Sequence, residues 1–229
     1  MHTEIYFDRK SYIINTQDGI DLSIKNDFSN RGPVFFNANH PTSHPQKSNG
    51  FIGNIKEGGS CNVPIVSLNI HCTGTHTESI AHISDRGEKI PEVCPLGLIS
   101  AYLLTVKLTK SDDTNELYHC ELSDDLLITA KKLKNKLSDK YEALIIRTNP
   151  NNQSKLIRNY DQYPAPFFTN DAIEYINSYG IKHLLVDIPS IDKANDGGSL
   201  GNHRLFFEKG KTISELLFIP EEVKDGFGF

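Results

Sequence analysis

The chain has no run of about 18 uninterrupted apolar residues, and its first residues, through Phe7 and Asp8, lack the apolar core of a secretory leader. Both absences weigh against a membrane partner or export, so a cytoplasmic protein is expected. Only four cysteines occur, Cys61, Cys72, Cys94 and Cys120. They are too few and too scattered for a disulfide scaffold, which a chain of 229 residues does not need. There is no long basic stripe, because the 24 basic and 29 acidic residues are interspersed. A nucleic acid partner therefore lacks its electrostatic footprint, and the lysines between Lys131 and Lys136 read as the wet face of a helix. Neither Gly-x-Gly-x-x-Gly nor Gly-x-x-x-x-Gly-Lys-Ser/Thr is found, which argues against a nucleotide cofactor.

What is present is a globular composition with 38% hydrophobic residues, enough for one domain over residues 1–229. Residues 1–60 are dense in turn signals such as Asn49-Gly50 and Gly58-Gly59, with one short strand expected at Ile20–Ile24. Irregular stretches of that length favour a binding role. Further on, strands are expected at Val63–Ile70, Ala101–Leu108, Glu142–Thr148 and Ile181–Ile188. Helices are expected over Ser123–Leu137, with Ser123 as cap, and over Asn170–Tyr179, with Thr169 as cap and Gly180 at the left-handed end. The alternation in the second half points to the α/β class.

The chemistry concentrates in His71-Cys-Thr-Gly-Thr-His76-Thr-Glu-Ser-Ile-Ala-His82. Cys72, His76, Glu78 and His82 are separated by even numbers of residues, so extended backbone would put neighbouring members on one face. Gly74 would let the chain bend or approach an ion closely. Thiolate, imidazole and carboxylate all suit zinc, and imidazole with carboxylate also suits manganese or iron. His71 would point away from Cys72 in extended chain and is read as structural. Packing is the competing account of the cluster, since a buried cysteine behaves as a small hydrophobe. A nucleophilic Cys72 beside His71 and His76 is a further one. A second polar group, Asp187 to Asp192, Asp196, His203-Arg204 and Glu215, follows an expected strand, where α/β folds place ligands. On charge pattern alone, Asp192, Asp196 and Arg204 fit turn or surface positions equally well.

These two segments together resemble the cyclase-like metal-dependent hydrolase family that includes bacterial kynurenine formamidase. Its pattern of histidine, a small residue, Gly-Thr-His, one residue, Asp and a later histidine is similar to Cys72-Thr-Gly-Thr-His76-Thr-Glu78 through His82. Its late segments are similar to Asp187-Ile-Pro-Ser190-Ile-Asp192, His203-Arg-Leu205 and Ile213-Ser-Glu215, and its early Asp-Leu-Ser to Asp21–Ser23. The resemblance implies a compact swivelling β/β/α domain and a homodimer or higher homo-oligomer acting on a small-molecule substrate. It implies a divalent metal, zinc first, held by Cys72, His76 and Glu78, with His203 and Glu215 at a second ion or assisting the reaction. His82 is then the proton carrier, so that His82, His203 and Glu215 form the catalytic set.

Cysteine stands where the family has its first histidine, glutamate where it has aspartate, and the family's following Ala-Pro is missing. The implied reaction is hydrolysis of an amide, formamide, lactone or related acyl bond by water that the ion activates. The rival reading within the same fold is a catalytically altered metal-binding protein. The family's last strands extend beyond Phe229, so this chain is expected to lack them and to leave a sheet edge open.

Overall fold

In the computed structural model, which describes residues 2–207 and 210–229, two apolar faces of one sheet organise the protein. Strands Ala101–Lys107, Ala143–Asn149, His183–Val186 and Thr212–Glu215 run parallel, side by side. Gly226–Gly228 lies antiparallel on the outer edge of Ala101–Lys107, and His76–Glu78 lies antiparallel on Thr212–Glu215, completing six strands. Gly226–Gly228 and His76–Glu78 are therefore the two outermost strands of this sheet.

Alternation along the strands separates two cores. Leu104, Val106, Leu144, Ile146, Leu184 and Val186 face a helical layer that supplies Ile173, Ile176 and Phe206. Leu103, Ile145 and Leu185 face the other way, against Leu22, Leu217 and Ile219. Each such apolar side chain contributes about 1.5–3 kcal/mol when fully buried. The helix Asn170–Ser178 is where the sequence places it: the Thr169 hydroxyl accepts the Ala172 N–H, and Gly180 follows at φ 71°.

The expected helix over Ser123–Leu137 does not form. Leu126–Ile128 is a strand between Thr109–Lys110 and Phe167–Phe168, and only Ala130–Leu133 is helical. Local propensity loses here because Leu127 and Ile128 are completely buried by this pairing. Asp124 also takes a left-handed φ of 46°, and the short helix is capped from outside by Glu116, whose carboxylate accepts the Ala130 and Lys131 N–H groups.

The N-terminal region holds more structure than its turn signals imply. His2–Phe7 and Lys10–Asn15 form a hairpin whose turn places Asp8 and Arg9 at φ 46° and 64°. Such turns favour Asn-Gly or Asp-Gly, and that signal is absent. Ile20–Ile24 reduces to one bridge, Ser23 to Leu217. Of Val63–Ile70 only Pro64–Ser67 is a strand, exposed throughout and paired with Thr42–Pro45.

Candidate metal centre

His76 and Glu78 stand two residues apart on an edge strand, which turns both side chains to one face. The register sets His76 opposite Glu215, bringing that carboxylate from the end of its own strand to the same place. His76 Nδ1 lies 3.0 Å from the Gly74 carbonyl. A carbonyl only accepts, so Nδ1 carries a proton and Nε2 faces inward, 3.6 Å from Glu215 Oε2 and 4.0 Å from Glu78 Oε2. A Cβ at Gly74 would meet the Asn26 side-chain oxygen at 2.6 Å, a contact the exposed Asn26 side chain can relieve by moving.

His203 arrives on the helix Gly201–Phe206. That helix begins at Leu200, φ 47°, without a side-chain cap of its own. Asp192 does the capping from upstream, accepting the Asn202 and His203 N–H groups at 2.9 and 3.1 Å. Its carboxylate also lies 2.7 Å from His203 Nδ1, which aims Nε2 at Glu78 Oε1, 2.8 Å away. His82 ends a short 3-10 turn started by Ser79 and sits 3.6 Å from Glu78. His71 Nδ1 lies 3.1 Å from the same carboxylate.

Two sets of donors result, each with its atoms within 4.8 Å of one another: His71, His76 and Glu78, and Glu78, His82 and His203. Glu78 belongs to both, the arrangement a carboxylate bridging two ions would need. His71 Nδ1, His76 Nε2 and Glu78 Oε1 are buried, close to one another's groups, and yet not aligned as hydrogen bonds. Buried polar atoms ordinarily find partners, and imidazole nitrogens with carboxylate oxygens are a suitable donor set for a divalent cation. The residues present fit such an ion.

The titration behaviour describes the same spot with protons in place of metal. Burial opposes ionisation of Glu78, but contacts with His203 and His71 and the charges of His203 and His82 outweigh it and bring the carboxyl down to about 2. Burial likewise opposes the His203 imidazolium, yet Asp192, Glu78 and Glu215 raise it to about 10. Glu215 is pushed up by burial and by the charge of Glu78. His82 is pushed down, chiefly by burial.

Of the residues singled out from sequence, His76, Glu78, His82, His203 and Glu215 converge. Cys72 is not in either donor set. It packs against the cluster of Phe35, Tyr160 and Leu216, and burial, with Asp161 and Glu215, raises its thiol pKa. His71, read from sequence as structural, is in the cluster instead. Asp192 was not distinguishable from a turn residue. Charge pattern alone could not single it out, because its partners lie on a helix ten residues later, although it closes the Asp187–Asp192 segment that carries the resemblance. A third grouping, His119, Asp192 and Asp196, forms a brace behind His203. Tyr118 donates to Asp192 at 3.0 Å, and Asp196 is occupied by the Gly198, Ser199 and Leu200 N–H groups.

The family model named Cyclase matches residues 20–193. The chain belongs to the Cyclase family. Among curated relatives, a kynurenine formamidase of Bacillus cereus is 27% identical over 173 residues, 75% of this chain and 71% of its own length. One of Bacillus anthracis shows the same identity and coverage. A solved structure described as a potential metal-dependent hydrolase with cyclase activity superposes with TM-score 0.61 at 18% identity, over 91% of this chain and 85% of that one. Isatin hydrolase A from Labrenzia aggregata gives 0.58 at 16%, over 90% and 83%. This Cyclase-family chain therefore has the mixed α/β fold of those structures, and among the described residues no helix is long and apolar enough to cross a membrane.

Proposed function

We propose that the protein is a divalent-metal-dependent hydrolase acting on an amide, formamide, lactone or related acyl substrate. The observation that carries this reading is the convergence of His76, Glu78, His203 and Glu215 with a buried His76 Nε2 that has no hydrogen-bond partner. Its relatives' names, kynurenine formamidase and isatin hydrolase, support the same class of bond.

In this reading His76 and Glu78 hold the ion, with His203 and Glu215 beside them at a second ion or guiding the reacting groups. Zinc is the first choice, and manganese or iron also suits the nitrogen and oxygen donors. A bound ion lowers the pKa of a water and polarises an acyl carbonyl. His82 moves the proton: its lowered pKa keeps it a free base near neutrality, and its side chain is 28% exposed, so it can exchange with solvent. Glu78 remains anionic and balances the charge.

The substrate enters a cleft of about 1190 Å³ lined by Phe36, Asn37, His40, Leu68, Ile70 and His71. Phe36 is exposed and offers an apolar wall, whereas Phe35, Phe167 and Phe168 are spent on packing. Another cavity, about 620 Å³ between Tyr12 and Phe227, contains none of the site residues.

We further read the chain as one domain, cytoplasmic, and a homodimer or higher homo-oligomer. The two-stranded sheet of Thr42–Pro45 and Pro64–Ser67 supports the dimer, because it exposes Val63, Ile65, Val66, Leu68 and Ile70. Two strands alone are marginal in water, and apolar side chains exposed on both faces of such a pair favour a covering partner.

The test is a hydrolysis panel of formamide, cyclic amide, lactone and ester with chelated and metal-restored protein. Turnover that vanishes and returns with metal supports the hydrolase. Metal uptake without turnover on any member would favour a metal-binding protein of the same fold.

A further inference from the structure

Within the metal-dependent reading above, we propose that His71, and not Cys72, supplies the ligand that precedes His76 in the chain. A strand running through residues 72 to 78 would set Cys72, His76 and Glu78 on one face. The backbone does otherwise. Asn69 to Thr73 is a turn, in which the Cys72 N–H and the Thr73 hydroxyl both donate to the Asn69 carbonyl, at 3.3 and 2.6 Å. The Cys72 carbonyl accepts the Phe35 N–H at 3.0 Å, tying that residue to the Phe35 and Tyr160 cluster. Extended geometry starts only at His76.

The turn exchanges the two neighbours. Cys72 goes to the apolar side, against Phe35, Tyr160 and Leu216. His71 goes to the polar side, where its ring lies 4.9 Å from that of His76 and 4.2 Å from that of His82. Its Nδ1 is 3.1 Å from Glu78 Oε2, buried, and without a hydrogen-bond partner, as is His76 Nε2. Two imidazole nitrogens and a carboxylate oxygen within 4.8 Å of one another make a site complete in kind without sulfur. A substitution that removed the family's histidine is compensated one position earlier by a turn.

The consequence is chemical. A thiolate would bias the site to soft ions, whereas an all nitrogen and oxygen set keeps zinc, manganese and iron within reach. Because the His71 side chain is 40% exposed and lines the 1190 Å³ cleft, this ligand also borders the substrate space.

The test is cobalt(II) loading of the full chain, read by optical absorption and by competition with a chromophoric chelator, on wild type, His71→Ala, His71→Gln and Cys72→Ser. The expected wild-type spectrum shows d–d bands and no thiolate-to-cobalt charge transfer in the near ultraviolet. Cys72→Ser should keep spectrum and affinity. Both His71 variants should lose more than the roughly 10- to 100-fold in affinity that loss of an outer partner costs, with circular dichroism of the metal-free forms checking the fold. A near-ultraviolet charge-transfer band in wild type that disappears in Cys72→Ser overturns the proposal while leaving the metal reading intact. So does unchanged affinity in both His71 variants. A wild type that takes up neither cobalt nor zinc overturns the metal reading, and this inference with it.

Discussion

Asp192 is buried, and it fixes both ends of the His203 problem: it caps the helix that carries the histidine and holds the ring nitrogen that faces away from the site. Replacing it by asparagine keeps a cap acceptor but removes the charge on Nδ1. Asp192→Asn is expected to weaken metal binding about 10- to 100-fold, measured by chelator competition, with a smaller change in the melting temperature of the metal-free protein. The same residues set a pH dependence. In the metal-free protein the Glu78 carboxyl lies near 2 against an ordinary 4.5, so its contribution is whole above 4.5 and is lost as pH falls towards 2. The raised His203 contributes fully below 6.5 and loses its share as pH rises through 10. The two shifts share the Glu78–His203 contact, while Asp192 and Glu215 also raise His203, and His71 and His82 also lower Glu78. Thermal melting of the metal-free protein should therefore show a plateau between 4.5 and 6.5 from this pair, and Glu78→Gln should flatten the acid flank and shrink the alkaline one, which Asp192 still maintains.

Strands and helices position these residues through the core. Phe168 is fully buried, pairs with Ile128, and lends its carbonyl to the Asn202 side chain next to His203. Phe168→Ala should cost about 3–5 kcal/mol, seen as a lower urea midpoint at unchanged slope. The helix Asn170–Ser178 was legible in the sequence because Thr169 and Gly180 carry local end signals that the tertiary structure respects. Ser123–Leu137 carried a similar signal, and there the burial of Leu127 and Ile128 in a sheet prevailed. The pair His76 and Glu78 was legible because a period of two holds wherever backbone is extended. Applied to Cys72, that period failed at the turn after Asn69. Asp192 and Glu215 depend on contacts with other elements, which no spacing along the chain encodes.

At the scale of the molecule, the parallel sheet delivers Glu215 and the loop after His183–Val186 to one end, and the antiparallel edge strand brings His76 and Glu78 to the same end. The outlying pair Thr42–Pro45 and Pro64–Ser67 stands beside the cleft with its apolar residues in solvent. Sedimentation velocity should find a dimer, and Val66→Asp with Leu68→Asp should shift it to monomer without altering the far-ultraviolet spectrum. The central claim, that one buried constellation holds a catalytic divalent ion, is tested most directly by the metal content of protein purified without chelator, compared with His76→Ala and Glu78→Gln. The account predicts near-stoichiometric metal in the wild type and strong depletion in both variants. A wild type free of metal, and not loaded by added zinc or manganese, would contradict it.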